Sequence, residues 1–241
     1  MTQGRAVRWR LARRGVRLRS LPPGGANQTR GVEEKAMIKA VSIDREYGSG
    51  GGDIARKLAE RLGWKLWDQA LTDEIARQMD CPSRTVEERE ERRDPFTYRL
   101  FKSFMRGSFE GSQNEPRLNM VDADCIRKVA RKVVLAAADQ GNAVLVGRGS
   151  AFHLYGRPDA LHVFVYAPFE EKVRRLQETG KSKQEAIDLV DTVDRERSEY
   201  IRKYFDVEWP ARHYFHLMIN TTMGEEMVVD TILHSVSILE K

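Results

Sequence analysis

At 241 residues, the chain is long enough for one large α/β domain with an appendage. Hydrophobic residues make up 41% of it and charged residues 32%, a balance typical of soluble globular proteins. No apolar run approaches the ~18 residues that a membrane helix needs, which argues against an integral membrane protein. Cys81 and Cys125 lie in unrelated contexts without metal-ligand spacing, so we expect a reduced, cytoplasmic protein.

The net charge of +5 comes from the first residues of the chain. Residues 1–31 hold eight arginines and no acidic residue. Outside this stretch 33 basic residues face 36 acidic ones, a net charge of −3. The remainder of the chain is therefore mildly acidic, and its charge gives no support for nucleic-acid binding.

Residues 1–36 form an arginine-rich leader with a helix-breaking Pro-Pro-Gly-Gly sequence near its end. It is compatible with a nucleic-acid-binding arm, with a transit peptide, and with a disordered extension or a start codon assigned too early. We favour the last interpretation, because Met37 stands one residue before the first predicted strand. The folded domain is then predicted to span residues 37–241.

The first predicted elements are a short buried strand at 38–43 and a helix at 54–62, which Gly63 ends. Between them lies the glycine run 48–52. This strand, glycine loop and helix have the layout of a phosphate-binding loop, in which successive backbone amides meet an anion at the positive end of the helix. A plain glycine-rich turn is the structural alternative.

A second strand at 64–68 and a helix at 69–79 come next. Residues 80–118 then combine a highly charged run with closely spaced aromatic residues, and we interpret them as an inserted helical flap. These aromatics are compatible with stacking on a base, although packing onto the main domain is the commoner use of such residues. A long helix with apolar residues from 121 to 137 follows.

The last part of the chain repeats the alternation of strands and helices. The remaining strands are predicted at 143–146, 161–166 and 214–220, and a charged helical region lies at 183–203. Parallel pairing is expected because the strands are separated by helices, and short apolar strands fit a sheet covered on both faces. The predicted fold class is therefore α/β, a doubly wound parallel sheet of five strands.

Several polar groups follow the predicted strands. They are the loop at 44–53, Asp68 after the second strand, and residues 147–150 after the third. Ligands of such sheets bind at the carboxyl ends of the strands. We therefore expect these groups to converge on one ligand site.

Four segments carry a resemblance to a known family: DREYGSGGGDIA at 44–55, Leu-Gly at 62–63, Val-Gly-Arg-Gly at 146–149 and VFVYAP at 163–168. The sequence resembles the cytidylate kinase-like family, a divergent branch of the P-loop nucleoside monophosphate kinases, over residues 37–240. This resemblance implies a P-loop NTPase-type sheet, a nucleoside triphosphate such as ATP over the first loop, Mg²⁺, and a nucleoside monophosphate acceptor facing it.

The resemblance also implies roles for single residues. Asp68 and the flap would lie on the acceptor side, and Arg148 would contact the acceptor phosphate. Residues 183–205 resemble the lid whose arginines close on the phosphates. Solvated ion pairing on a surface helix is the alternative for the lid arginines. The predicted phosphate-binding residues are Arg45, Gly48, Ser49, Gly50, Gly51 and Gly52, and the predicted lid residues are Arg195, Arg197, Tyr200 and Arg202, with Arg148, Arg195 and Arg197 as catalytic residues.

The sequence departs from the usual loop at two positions. Gly51 stands where a lysine is usual, and Asp53 takes the place of the hydroxyl residue. Asp53 would repel an anion or hold Mg²⁺ through water. Arg45 occupies the place of the first motif glycine, either as a replacement cation or in a salt bridge with Glu46 or Asp44. The two acidic residues that flank the matching arginine of true cytidylate kinases are also absent beside Arg148.

The predicted activity is transfer of the ATP γ-phosphate to CMP or dCMP. The alternative is a nucleotide-binding regulator or sensor that retains the fold with little or no transfer. A third interpretation, a nucleic-acid-associated protein, would depend on the arginine-rich leader. The sequence does not select the nucleobase or the oligomeric state.

Overall fold

A computed structural model describes residues 37–78 and 123–239, all within the compact unit Lys35–Lys241. The predicted leader at 1–36 and the predicted flap at 80–118 lie outside the described residues. Within the described part, the order of elements is β1 (Ala40–Arg45), α1 (Gly51–Leu62), β2 (Lys65–Trp67), α2 (Gln69–Gln78), α3 (Ala123–Gln140), β3 (Ala143–Val146), α4 (Ser150–His153), β4 (Ala160–Tyr166), α5 (Phe169–Glu178), α6 (Lys183–Phe205), β5 (Leu217–Asn220) and α7 (Glu225–Leu239).

The five strands form one parallel sheet in the order β2-β3-β1-β4-β5. Strand β1 lies at the centre, where Ile43 pairs with Val146 of β3 and with Val163 of β4. Every residue of β1 and β3 is buried, as expected for strands covered on both faces. The predicted doubly wound α/β architecture is confirmed.

Alternating side chains of the sheet supply two apolar cores. Val41 and Ile43 of β1 pack with α1 and α7, whereas Ala40 of the same strand packs with residues of α2 and α3. Helix α1 contributes Ile54 and Leu58, which recur one helical turn apart on its buried face. Helices on both faces leave the carboxyl ends of the strands open to the loops that form the site.

The fifth strand is shorter than predicted. It begins at Leu217 instead of residue 214, because Arg212–Tyr214 form a 3₁₀ turn. His216 therefore precedes the strand, although its backbone amide already donates to the carbonyl of His162 at 2.8 Å. In the part of the chain that the structure describes, no helix has the length and apolar character needed to cross a membrane.

Candidate phosphate-binding site

The glycine loop between β1 and α1 has the backbone shape of an anion cradle. Gly48 and Gly50 both have φ of +78°, a conformation that residues with a Cβ rarely adopt. Ser49 donates its hydroxyl to the carbonyl of Glu46 at 2.7 Å, which closes the turn. Helix α1 begins at Gly51, so the amides of its first turn have no intrahelical acceptor and add to the positive end of the helix dipole.

Close packing around the loop explains two of its glycines. A Cβ on Gly48 would lie 3.0 Å from the Cβ and the carbonyl oxygen of Lys172. A Cβ on Gly51 would lie 2.7 Å from the Cβ of Arg45 and 2.9 Å from Cγ2 of Val165. Position 51 therefore has no room for a lysine while Arg45 keeps its place.

Arg45, the last residue of β1, is only 5% exposed. Its side chain passes Gly51 and reaches the end of β3, where its Nη1 occupies the space that a Cβ on Gly147 would need. Burial and the nearby Arg197 lower the pKa of Arg45 to about 9, while the charge of Asp68 acts in the opposite direction. A buried guanidinium with a cationic neighbour favours the approach of an anion.

Arg148 lies at the end of β3 in a left-handed conformation, with φ of +56°. It is 7% exposed, and its Nη2 donates to the hydroxyl of Thr72 at 2.7 Å. Burial lowers the pKa of Arg148 to about 10, and the charge of Asp68 opposes this shift. Asn142 and Asp206 also have positive φ, but asparagine and aspartate adopt this conformation several times more often than other residues, so Arg148 is the unusual case.

Two carboxylates accompany these arginines at the ends of the strands. Asp68 is 4% exposed and lies between β2 and α2. Asp44 accepts a hydrogen bond from the indole Nε1 of Trp209 at 3.2 Å and one from the backbone amide of Arg45 at 3.1 Å. Asp68 lies close enough to Arg45 and Arg148 for its charge to act on both, while their role as one ligand site stays a prediction.

The predicted lid corresponds to α6, a continuous helix of 23 residues. Its Arg197 donates from Nη1 to the carbonyl of Arg45 at 2.9 Å and to Oδ1 of Asp194 at 3.2 Å. Tyr200, one turn further, is buried, and its burial raises the pKa of its hydroxyl, with Tyr204 acting in the same direction and Arg148 against it. Arg197 and Tyr200 therefore face the site.

Arg195 and Arg202 are both exposed on α6. Their roles in the lid stay predictions. Asp53 is also exposed, and its Oδ1 pairs with Nη2 of Arg56 at 3.3 Å, so its assignment to Mg²⁺ likewise stays a prediction.

Lys172 of α5 is a site residue that sequence reasoning missed. It is 8% exposed, and its Nζ pairs with Oε2 of Glu46 at 3.0 Å and with Oδ2 of Asp194 at 3.3 Å. Asp194 also accepts the backbone amide of Tyr47 at 2.8 Å. The acidic residue inside the loop motif is the signal that would have found it, because a carboxylate beside a phosphate site needs a cation.

Arg175 is a second missed residue, three positions after Lys172 on α5. Its Nη1 donates to the carbonyl of Ser49 at 2.7 Å and to the hydroxyl of Thr221 at 2.8 Å. Helix α5 follows β4, which pairs with β1, so topology places its start beside the loop. Its periodicity alone does not indicate this contact.

The residues present fit a bound polyphosphate better than a preformed metal cage. At Gly48 and Gly51 the neighbouring Lys172 and Arg45 approach so closely that the loop itself carries no side chain there. The described residues contain no cluster of three or more acidic, histidine or cysteine side chains arranged to hold a metal ion. Mg²⁺ is compatible with this, since it commonly binds through one or two carboxylates together with substrate phosphates.

Comparison with known proteins gives a family and a fold. The sequence profile of the cytidylate kinase-like family matches residues 40–223, while no curated protein sequence matches the chain. An uncharacterized protein from Eubacterium ventriosum has a TM-score of 0.59 at 19% identity, over 83% of this chain and 99% of its own. Shikimate kinases from Bacteroides thetaiotaomicron and Acinetobacter baumannii each have a TM-score of 0.43, at 14% and 16% identity, over 84% and 83% of this chain and 99% and 93% of theirs. The Eubacterium structure shares the fold.

Proposed function

Since the chain belongs to the cytidylate kinase-like family, we propose that it transfers the γ-phosphoryl group of ATP to the phosphate of CMP or dCMP. The observation that carries this proposal is the set of three arginines around the ends of β1 and β3. Arg45 and Arg148 are buried there, and Arg197 of the lid helix is bound to the backbone of Arg45. Three guanidinium groups beside a glycine cradle suit two phosphorylated ligands that meet end to end.

In the proposed reaction, an oxygen of the acceptor phosphate attacks the γ-phosphorus of ATP. The bond from that phosphorus to the β,γ-bridging oxygen breaks, and ADP leaves with the electron pair. Mg²⁺, when bound, supplies neutralising charge on the donor phosphates. Such a transfer requires mainly positioning and charge stabilisation by the protein.

In this proposal, different residues of the chain bind the donor phosphates, orient the acceptor and cover the reacting groups. The loop amides around Gly50 and Gly51 would hold the donor phosphates at the start of α1. Arg148 would orient the acceptor phosphate, with Asp68 and the predicted flap on the same side. Arg197, with Tyr200 beside it, would cover the reacting groups and exclude water, which otherwise competes as the acceptor.

A nucleotide panel tests the proposed function. The full chain would be offered ATP and Mg²⁺ with CMP, dCMP, UMP or AMP, and both binding and nucleoside diphosphate formation would be measured. We expect the highest kcat/KM with CMP or dCMP. Absence of diphosphate product with every acceptor, at concentrations where ATP and CMP bind, would refute the kinase proposal.

Nucleotide binding without any diphosphate product would instead support the regulator or sensor. The specific observation in its favour is the loop itself, where Gly51 and Asp53 replace the usual lysine and hydroxyl residue. A sensor requires ligand binding and a response without turnover. Binding measurements in the same panel therefore separate the two candidate functions.

A further inference from the structure

We propose that Arg45 is the catalytic cation of this site, taking over from β1 the role that a lysine at position 51 has in the usual phosphate-binding loop. The proposal deepens the proposed kinase function and depends on it. In this assignment the guanidinium contacts the phosphoryl group in transfer and binds the charge that develops on its oxygens.

The first argument is that the side chain of Arg45 occupies the space that side chains at positions 51 and 147 would need. Arg45 packs its Cβ and Cγ where a side chain at position 51 would begin, within 2.7 Å and 2.9 Å of a Cβ there. Its Nη1 fills the corresponding space at position 147. An arginine in this path requires glycine at both Gly51 and Gly147. The loss of the lysine and the presence of the arginine are thus one structural change.

The second argument is the position of the charge. The side chain runs from the donor loop at Gly51 to the end of β3, where the acceptor arginine Arg148 follows at the next residue after Gly147. A phosphoryl group passing from donor to acceptor must cross between these two places. A guanidinium there offers two parallel donors to phosphate oxygens, a geometry that an ammonium lacks.

The third argument is preorganisation. The backbone of Arg45 is held on both sides, since its amide donates to Asp44 and its carbonyl accepts from Arg197 of the lid helix. The side chain is 5% exposed, so few alternative conformations are open to it. A cation fixed before the substrate binds needs no rearrangement during the reaction.

The competing explanation is structural: Arg45 would serve only to neutralise Asp68 and Asp44 at the ends of the strands. The two explanations differ in what a conservative replacement does. Arg45→Lys keeps a positive charge in the cluster but loses the planar pair of parallel donors, and Arg45→Met keeps most of the volume without charge. A structural cation would tolerate lysine, whereas a phosphoryl-binding guanidinium would not.

The experiment measures kcat, both KM values and thermal unfolding for Arg45→Lys and Arg45→Met. We expect kcat to fall about 10²–10³-fold in Arg45→Met, with the acceptor KM changed by less than about threefold. Added guanidinium ion should restore part of the kcat of Arg45→Gly, and NaCl at the same ionic strength should not. Arg61→Ala, which removes an exposed arginine bound to Asp230, is the matched control and should keep full activity.

A set of combined variants gives the proposal a second, independent test. Gly51→Lys alone should be inactive, because its side chain collides with Arg45 and with Cγ2 of Val165. Combining it with Arg45→Gly and Val165→Ala removes both contacts and makes room for the lysine of a usual loop, so at least tenfold of the lost kcat should be recovered. The proposal is overturned if Arg45→Met retains kcat within threefold, or if guanidinium and the triple variant both fail to recover activity in folded protein.

The outcome is separable from that of the proposed function. If the wild-type chain transfers no phosphate, measurements of ADP and ATP binding still test whether Arg45 binds phosphate. An Arg45→Met variant that binds ATP at least tenfold more weakly than wild type, with an unchanged melting temperature, would keep Arg45 as the phosphate-binding cation of a non-catalytic site. Equal ATP affinity in the two proteins would overturn the assignment while leaving nucleotide binding itself intact.

Discussion

At the scale of single residues, the backbone conformation of Arg148 sets it apart. It lies at φ of +56° between Gly147 and Gly149, whose φ values are +62° and +70°. A Cβ on Gly149 would lie 2.7 Å from Cζ of Phe205. Phe205 therefore packs against one side of this turn, and Arg45 packs against the other side at Gly147. This packing holds an arginine in an unfavourable conformation and directs it into the site.

Replacing Arg148 tests its acceptor role. In Arg148→Ala, we expect the KM for CMP to rise about 100-fold, because a charge-assisted contact to a phosphate is lost while the donor loop is untouched. The KM for ATP should change by less than about threefold. Steady-state kinetics with each substrate varied in turn will measure both values, and an unchanged KM for CMP would contradict the assignment.

His162 provides a residue-scale prediction about stability. It is 1% exposed, its Nδ1 lies 2.7 Å from Oγ of Ser42, and its ring stacks on His216 at 5.0 Å between centroids. Burial, and then the charge of His216, lower the pKa of His162 from 6.5 to about 4. The unfolded chain therefore binds more protons than the folded one between these pH values, and stability falls as the pH falls.

Through this one group, the free energy of unfolding should fall by about 3 kcal/mol between pH 6.5 and pH 4. Urea unfolding at several pH values, for the wild type and for His162→Gln, isolates the contribution of His162 from that of the carboxylates. The variant should show a flatter pH dependence across this window. Parallel curves for the two proteins would mean that His162 is not the group responsible.

At the scale of elements, the loop, α5 and α6 are joined by one ion-pair network. Lys172 of α5 bridges Glu46 of the loop and Asp194 of the lid helix, and Asp194 also accepts the amide of Tyr47. Arg197 completes the connection by binding the carbonyl of Arg45. Helix α6 is therefore attached to the glycine loop by charged groups that are largely shielded from water.

Lys172→Met should weaken binding of the triphosphate. The change leaves the carboxylate of Glu46 without its cation beside the loop, where it repels an anion, while Asp194 keeps its pair with Arg197. We expect the ATP Kd to rise about tenfold and the melting temperature to fall. Adding Glu46→Gln should recover part of both losses, because it removes the carboxylate that lost its cation.

Lys57→Met is the matched control for this change. Lys57 also pairs with two carboxylates, Glu225 at 3.1 Å and Glu226 at 2.7 Å, but on the more exposed surface between α1 and α7. Exposed pairs contribute little, so its loss should leave ATP binding unchanged. A similar decrease in ATP affinity in both lysine variants would show that the effect is not specific to the network.

At the scale of the whole molecule, charge and the family profile divide the chain in the same way. The eight arginines of residues 1–31 account for the positive net charge, and the family profile begins later, at residue 40. The described elements between Ala40 and Leu239 contain the sheet, the loop and the lid helix. All the groups used in the proposed reaction, apart from the predicted flap, belong to this part.

A chain that begins at Met37 should therefore keep its activity. We expect kcat, both KM values and the melting temperature of the shortened protein to match those of the full chain within about twofold or a few degrees. The comparison also includes binding to a generic RNA and a generic DNA. A loss of activity, or nucleic-acid binding only by the full chain, would assign a role to the arginine-rich leader.

The sequence alone determined the order of strands and helices and the place of the glycine loop. Short apolar runs, the glycines at 48–52 and the helical periodicity that follows are local signals, and they predicted the parallel sheet correctly. The convergence of Asp68 and Arg148 was also predictable, because carboxyl ends of parallel strands meet at one edge. The start of β5 was not, since the aromatic Tyr214 and Phe215 before it extend the apolar run of the strand, although Tyr214 belongs to a 3₁₀ turn.

Only the tertiary structure decided how the charges at the site are paired. Lys172 lies 126 residues from its partner Glu46, and Arg197 lies 152 residues from Arg45, so no local pattern connects them. The sequence left Arg45 as either a replacement cation or the salt-bridge partner of Glu46 or Asp44. In the structure Glu46 pairs with Lys172. The side chain of Arg45 runs past Gly51 toward Gly147 instead. Sequence could not show this, because burial and steric contact act between residues that only the fold brings together.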